Sequence, residues 1–251
     1  KAAIARSGKP LVVRHVEDAA VQRCIEACAN ATQEPGTEGT ALPAELEWVR
    51  VKKGATYHEE ANTMAEAAWG HLQCAENLRY PVVRGLRWPG RMHEVSSPTL
   101  EGMTYVLEGA HNPSGMLAAC GEFKKQERWR KPWTLLFGST PQSDMRAMLE
   151  PLIELCDVFP PAAVVVTEPQ FGRYPGVPCT ELKVAFNALG LENAVLFSQP
   201  EKAVQWIESG AVPSTTVLCI GSLYLQGNLL AILGADSDDD LAVVVENTET
   251  A

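Results

Sequence analysis

The stretch Val106–Ala119, reading Val-Leu-Glu-Gly-Ala-His-Asn-Pro-Ser-Gly-Met-Leu-Ala-Ala, constrains the fold more than any other part of the chain. Met103 to Leu107 is a short apolar run that predicts a buried strand ending at Glu108. Asn112 is a good N-cap, and Pro113 suits a first helical position, where its missing N–H is no loss. A helix is therefore expected from Pro113 to about Gln126. Strand, tight Gly-Ala-His connection and helix place a carboxylate and an imidazole at the carboxyl end of a strand. Open α/β sheets bind their ligands there.

The same alternation continues downstream. Strands are expected at Trp133–Phe137, Ala162–Val166, Ala194–Phe197 and Thr215–Ile220. Helices are expected at Ser143–Cys156, Thr180–Leu189 and Glu201–Glu208, with a last one capped by Ser222 and ending at Gly234. Pro151 predicts a kink or a late start in the helix Ser143–Cys156. Strands alternating with helices imply an α/β fold, a mainly parallel sheet covered on both faces.

Upstream, Pro10–Arg14 and Glu47–Val51 read as strands around a helix from Asp18 to Ala29, whose apolar stripe is Ala19, Val21, Cys24, Ile25 and Cys28. Asn30 to Pro43 is a polar loop. A further helix is expected from Glu60 to Leu78, with Ala61, Met64, Ala65, Ala68 and Leu72 on one face. Leu78 to Arg91 is polar and basic, punctuated by Pro81, Gly85, Pro89 and Gly90, and marks a hinge. The expected organisation is a first domain over 1–85, a hinge over 86–91, a second domain over 92–235 and an acidic tail over 236–251.

With 31 acidic against 21 basic residues the net charge is −10, which argues against nucleic acid or an anionic membrane as the main partner. Arg84, Arg87 and Arg91 form a local basic cluster, readable as a phosphate-facing group or as a solvated face. The seven cysteines are odd in number and contain no CxxC, so neither a disulfide framework nor a zinc site is indicated. Cys24 and Cys28 are expected to pack on one helical face. No apolar run reaches the length of a membrane span, ~18 residues, and no signal peptide is visible. Asp236-Ser-Asp-Asp-Asp240 is expected to be a solvated turn rather than a metal site.

Four stretches carry a resemblance. Glu108-Gly-Ala-His-Asn-Pro113 is similar to the Asp-Gly-Ala-His-Asn-Pro motif of folylpolyglutamate synthases and dihydrofolate synthases, within the Mur ligase superfamily. Trp88-Pro-Gly-Arg91 resembles the family's Pro-Gly-Arg, His58-Glu-Glu-Ala-Asn62 its His-Gln-x-x-Asn-Ala, and Gly221-Ser-Leu-Tyr224 its Gly-Ser-Leu-Tyr. The opening Lys1-Ala-Ala-Ile resembles its Glu-Lys-Ala-Gly-Ile segment, without the flanking glutamate.

The resemblance implies a C-terminal Mur-ligase-type Rossmann-like domain preceded by the end of a P-loop ATPase domain. It also implies ATP-dependent addition of L-glutamate to a folate, with ATP and Mg2+ required. In such enzymes the acceptor's carboxylate becomes an acyl phosphate, which the amino group of glutamate attacks. Carried over residue by residue, His111 and Lys1 are catalytic candidates, Lys1 as a carbamate near the metal. Asn62, Arg91 and Glu108 fall on the nucleotide side, and Ser222 and Tyr224 on the glutamate side. Bland alternatives stand beside several of these: Asn62 as a local cap, Ser222 as an N-cap, Lys1 as a solvated lysine. Glu108 departs from the family's aspartate and carries its carboxylate about 1.5 Å further from the backbone.

No G-x-x-x-x-G-K-[ST] loop occurs in the chain, so the phosphate cradle of such a ligase is missing. The expectation is a fragment of a cytoplasmic (or mitochondrial) two-domain monomer that binds ATP, glutamate and folate or dihydropteroate. Dihydrofolate synthesis, a peptidoglycan-type Mur ligase and a non-catalytic nucleotide- or glutamate-binding module are the alternatives.

Overall fold

A computed structural model describes residues 4–32, 42–72, 86–241 and 244–245, with only the backbone of 57–58, 86–87 and 244–245. Lys1, Arg84, Cys74 and the side chains of His58 and Arg87 lie outside the described set. The described residues fall into two compact units that meet in sequence at Leu86 and Arg87.

In the first unit, β1 (Pro10–Arg14) and β2 (Glu45–Val49) pair in parallel, from Pro10↔Glu45 to Arg14↔Val49. The crossover between them is α1 (Ala19–Asn30), started by Asp18, whose carboxylate accepts from the backbone N–H of Ala20 and Val21. Helix α2 (Tyr57–Gly70) begins in a full capping box, Thr56 and Glu59 each satisfying the other's backbone N–H. Among the described residues its core cluster is Leu11, Ala29 and Ala44, with Ile25, Val13 and Leu46 against it.

The second unit is built on a six-stranded sheet in the order β4-β5-β9-β6-β7-β8. Its strands are β4 (His93–Ser96), β5 (Thr104–Glu108), β6 (Trp133–Phe137), β7 (Ala163–Thr167), β8 (Val195–Phe197) and β9 (Thr216–Ile220), after a two-residue β3 (Leu86–Arg87). Only β4 runs antiparallel, pairing His93 with Leu107; the other ladders are parallel, with Glu108 level with Ile220. Helices α3 (Pro113–Phe123), α4 (Met145–Val158) and α5 (Cys179–Asn187) cover one face, and α6 (Pro200–Glu208) and α7 (Leu223–Ile232) the other.

Strand residues alternate between two cores. Val106, Leu135, Phe137, Val166 and Leu218 meet α3–α5, while Tyr105, Leu107, Leu136, Val165 and Cys219 meet α6 and α7. Phe123, Trp129 and Trp133 stack edge-to-face at 5.4 and 5.2 Å under the first face. The expected α/β class with a mainly parallel sheet is what forms.

Several boundaries and faces differ from expectation. α3 stops at Phe123, and α4 starts at Met145 and continues to Val158 with the buried Pro151 inside it, so the start is not delayed to the proline. The expected strand Glu47–Val51 is shifted to Glu45–Val49. The short edge strand β4 was not anticipated, because His-Glu-Val-Ser carries almost no apolar signal. On α1 the packed residues are Gln22, Ile25, Cys28 and Ala29, and Val21 and Cys24 are exposed. The shared packed face expected for Cys24 and Cys28 therefore does not exist. On α2 the partly buried residues are Glu60, Asn62, Thr63, Met64, Ala67 and Trp69, whereas Ala61, Ala65 and Ala68 are exposed, as is Leu72 just past the helix end. Both helices rest on a narrow two-stranded ribbon, and the residues buried on each are not those of its most apolar stripe. Asn62 lies in the second turn of α2, so the cap it was a candidate for belongs to Thr56. The acidic run forms one exposed helical turn, α8 (Asp238–Leu241), before the two-residue β10 (Val244–Val245).

Candidate functional site

Three of the four motif stretches come together at the carboxyl ends of β5 and β9. These are adjacent strands whose following helices, α3 and α7, leave to opposite faces. That divergence opens the crevice where doubly wound sheets place their ligands.

Trp88 to Arg91 is a turn closed by Arg91 N–H donating to Trp88 O at 3.0 Å. Pro89 and Gly90 occupy its middle, and Gly90 takes φ +72°, the left-handed value that this kind of turn demands and glycine adopts without strain. Gly90 O accepts from Gly109 N–H at 2.7 Å, and Ala110 O accepts from Gly221 N–H at 3.1 Å. The turn, the Gly-Ala-His connection and the β9–α7 corner are thus tied through their backbones. A Cβ on Gly109 would sit 2.3 Å from Leu223 Cδ2, and one on Gly221 would sit 2.6 Å from Gly138 O. Glycine is needed at both for close approach.

A residue that motif reading missed completes the tie. Gln226, buried in the first turns of α7, donates Nε2 to Glu108 O (3.1 Å), Cys219 O (3.2 Å) and Ser222 O (3.2 Å). Its only signal in the sequence is an amide, one of two with Asn228, on a largely apolar helix.

Glu108 is buried to 1% exposure. Its Oε1 accepts from Arg91 Nη1 at 2.8 Å and its Oε2 from Met92 N–H at 3.1 Å. Burial pushes its carboxyl upward in pKa; the Arg91 guanidinium and the N–H groups of Met92 and Ala110 pull the other way. The Arg91 side chain itself is half-exposed at 47%.

His111 Nδ1 lies 2.8 Å from Gly109 O. A carbonyl only accepts, so Nδ1 carries the proton and the neutral ring keeps Nε2 as the acceptor. Asn112 caps α3, its Oδ1 accepting from Gly115 N–H at 2.8 Å. Ser222 is buried and caps α7, its Oγ accepting from Tyr224 N–H at 3.1 Å. Tyr224 is partly exposed, its ring packed against Gly172. Asn62 belongs to the first unit and is half-buried, and Lys1 lies outside the described residues. Among the described residues no group of three metal-ligating side chains forms, and no helix is long and apolar enough to cross a membrane.

A family model described as "Mur ligase, glutamate ligase domain" matches residues 90–223, more than half of the chain. No curated protein matches. Among solved structures, the bifunctional folylpolyglutamate synthase/dihydrofolate synthase of Yersinia pestis, complexed with AMPPNP and Mn ion, is similar with a TM-score of 0.65 at 18% identity, over 93% of this chain and 55% of that one. E. coli FolC in complex with DHPP and ADP gives 0.64 at 17%, over 93% and 55%. Mycobacterium tuberculosis folylpolyglutamate synthase complexed with ADP and AMPPCP gives 0.60 at 16%, over 94% and 58%. At these identities the likeness is one of fold, and the chain spans a little over half the length of those proteins. The matched residues 90–223 run from the Gly90 turn to the start of α7 and take in Arg91, Glu108, His111 and Ser222; the chain belongs to the Mur ligase family through its glutamate ligase domain.

Proposed function

We propose that this chain is part of an ATP-dependent ligase that adds L-glutamate to a folate. The observation that carries the reading is the convergence of the Pro-Gly-Arg, Glu-Gly-Ala-His-Asn-Pro and Gly-Ser-Leu-Tyr stretches on one crevice of a glutamate ligase domain. In this reading residues 1–85 are the end of an ATPase domain, 86–91 a hinge and 236–251 a tail, and the phosphate-cradling loop lies in a longer polypeptide. The 251-residue chain alone is then expected to be inactive.

In the reaction, the acceptor's terminal carboxylate takes the γ-phosphoryl group of ATP. The amino group of glutamate attacks the resulting acyl carbon, and phosphate leaves with the C–O bond pair. Catalysis of this kind is mostly positioning and charge neutralisation. Arg91 suits the phosphate side, because a guanidinium offers forked donors. Glu108 then acts as a positioning residue: it takes one donor of Arg91 and holds the rest in place. His111, with Nδ1–H engaged on Gly109 O, offers Nε2 to a proton or an amine. Asn62 is assigned to the nucleotide, and Ser222 and Tyr224 to the border of the glutamate pocket. Mg2+ enters with ATP; the described residues form no metal site of their own, and Lys1, as a carbamate, is the proposed protein ligand.

The test is incorporation of labelled L-glutamate by the complete polypeptide with Mg-ATP, using tetrahydrofolate and dihydropteroate as separate acceptors. Turnover on tetrahydrofolate is expected. Turnover on dihydropteroate alone would make it a dihydrofolate synthase. None on either would leave a nucleotide- or glutamate-binding module.

A further inference from the structure

The crevice lies at the carboxyl ends of the parallel strands. At their amino ends, between the segments that lead into β6 and β7, the second unit carries a separate cleft of about 530 Å³, within the ~300–1,000 Å³ range of small-molecule sites. The ligation described above does not use it. One side is the 3₁₀ turn Glu127–Arg130 with the Lys131-Pro132 link into β6; the other is the end of α4 and its connection to β7. The two sides are tied together. Trp133 Nε1–H donates to Phe159 O at 3.1 Å, and Ala162 N–H to Trp133 O at 2.7 Å.

Two donors among the lining residues are left over. Trp129 is 2% exposed, its ring edge-to-face with both Phe123 and Trp133, yet its Nε1–H meets no acceptor among the described residues. A desolvated indole N–H without a partner is unfavourable, and an acceptor oxygen brought to it relieves that. Lys131 is the second. Lys124, Lys125, Arg128 and Arg130 are matched with Glu154, Glu122, Glu94 and Glu127. Lys131, next in this basic run, makes no ion pair among the described residues, although acids outnumber bases by 31 to 21. Arg130 is already committed twice: its Nε lies 2.7 Å from Glu127 Oε2, and its guanidinium covers the Phe159 ring at 6.0 Å from the centroid. The rest of the lining used here is aliphatic, namely Pro132, Val158 and Pro160.

We propose that this cleft binds a small aliphatic monocarboxylate. The Trp129 indole N–H and the Lys131 ammonium take its two oxygens, and its hydrocarbon body lies along Pro132, Val158 and Pro160. One neutral donor and one unit of positive charge match a group with two oxygens and one negative charge. A phosphate brings a third oxygen and nearly a second charge against walls that are otherwise apolar. A neutral amide leaves the ammonium unpaired. An aromatic acid gains no stacking face, because Arg130 covers Phe159. The site stands independently of the ligase reading, since Arg91, Glu108 and His111 are at the other end of the strands.

The probe is hexanoate, titrated into the 15N-labelled 251-residue chain, with the Trp129 indole resonance identified by its loss in Trp129→Phe. Hexanoate is expected to move that resonance saturably, while hexanamide and inorganic phosphate bind at least ten-fold more weakly. Lys131→Ala alters an exposed, unpaired side chain and should leave Tm unchanged while weakening hexanoate about 5- to 20-fold; Lys131→Arg should restore most of the affinity. The Lys131 series is also read by calorimetry, which needs no Trp129 variant. An indole resonance that does not respond to hexanoate overturns the proposal. So does phosphate binding as tight as hexanoate, or a hexanoate affinity that Lys131→Ala leaves within two-fold. Glutamate incorporation by the complete polypeptide should be the same in Lys131→Ala as in wild type; a fall would overturn the separation of this cleft from the crevice.

Discussion

At Arg91 and Glu108 the structure couples a solvent-facing cation to a buried anion. Because burial raises the Glu108 carboxyl, the folded protein holds that proton more tightly than the unfolded chain does. The stability linked to it is fully present below the ordinary carboxylate range and is lost as pH rises through the raised value. Arg91 limits that loss. Arg91→Ala should therefore destabilise by about 2 kcal/mol near neutrality, below the ~3–5 of a fully buried pair because the guanidinium is half in water. The Tm difference from wild type should widen between pH 5 and pH 7; a gap constant with pH would contradict the buried-carboxylate account. Gly221→Ala meets a different obstacle, a φ of +117° and a Cβ 2.6 Å from Gly138 O. It should cost about 3 kcal/mol or more, read as a lower denaturation midpoint.

The elements of the crevice depend on Gln226, whose amide spans the ends of β5 and β9 and the start of α7. Gln226→Leu keeps the approximate volume but leaves those carbonyls without that donor, an expected loss of about 1–3 kcal/mol. Amide exchange at Gly109 and Gly221 should quicken more than at the core of β6. Uniform quickening would mean that the residue is merely core filling. Gln226 also marks where sequence reading stops. Strands such as Trp133–Phe137, buried on both faces, appear as apolar runs, and the caps at Asn112 and Ser222 follow from residue type at a helix start. Those signals are local. Strand order, the β4 edge and the Arg91–Glu108 pair depend on residues that are neighbours only after folding. The faces of α1 and α2 were misread because periodicity reports the most apolar stripe, whereas a two-stranded ribbon covers only part of it.

At the scale of the molecule the two units are unequal. Residues 87–244 contain two extensive cores, one on each face of the sheet, while among the described residues the first unit buries Leu11, Ala29, Thr32, Ala44 and Val49. Burial of each large apolar side chain contributes about 1.5–3 kcal/mol, so the second unit should carry most of the stability. Residues 87–244 expressed alone should unfold cooperatively, and in the whole chain the amides of β1 and β2 should exchange well before those of β5, β6 and β9. Equal protection of both units would contradict this. The central claim is that the crevice at β5 and β9 performs the ligation. It is tested most directly by His111→Ala in the complete polypeptide, assayed for Mg-ATP-dependent glutamate incorporation alongside Tm. A fall in kcat of about 100-fold or more at unchanged Tm is the expected result. A kcat within two-fold of wild type would contradict it.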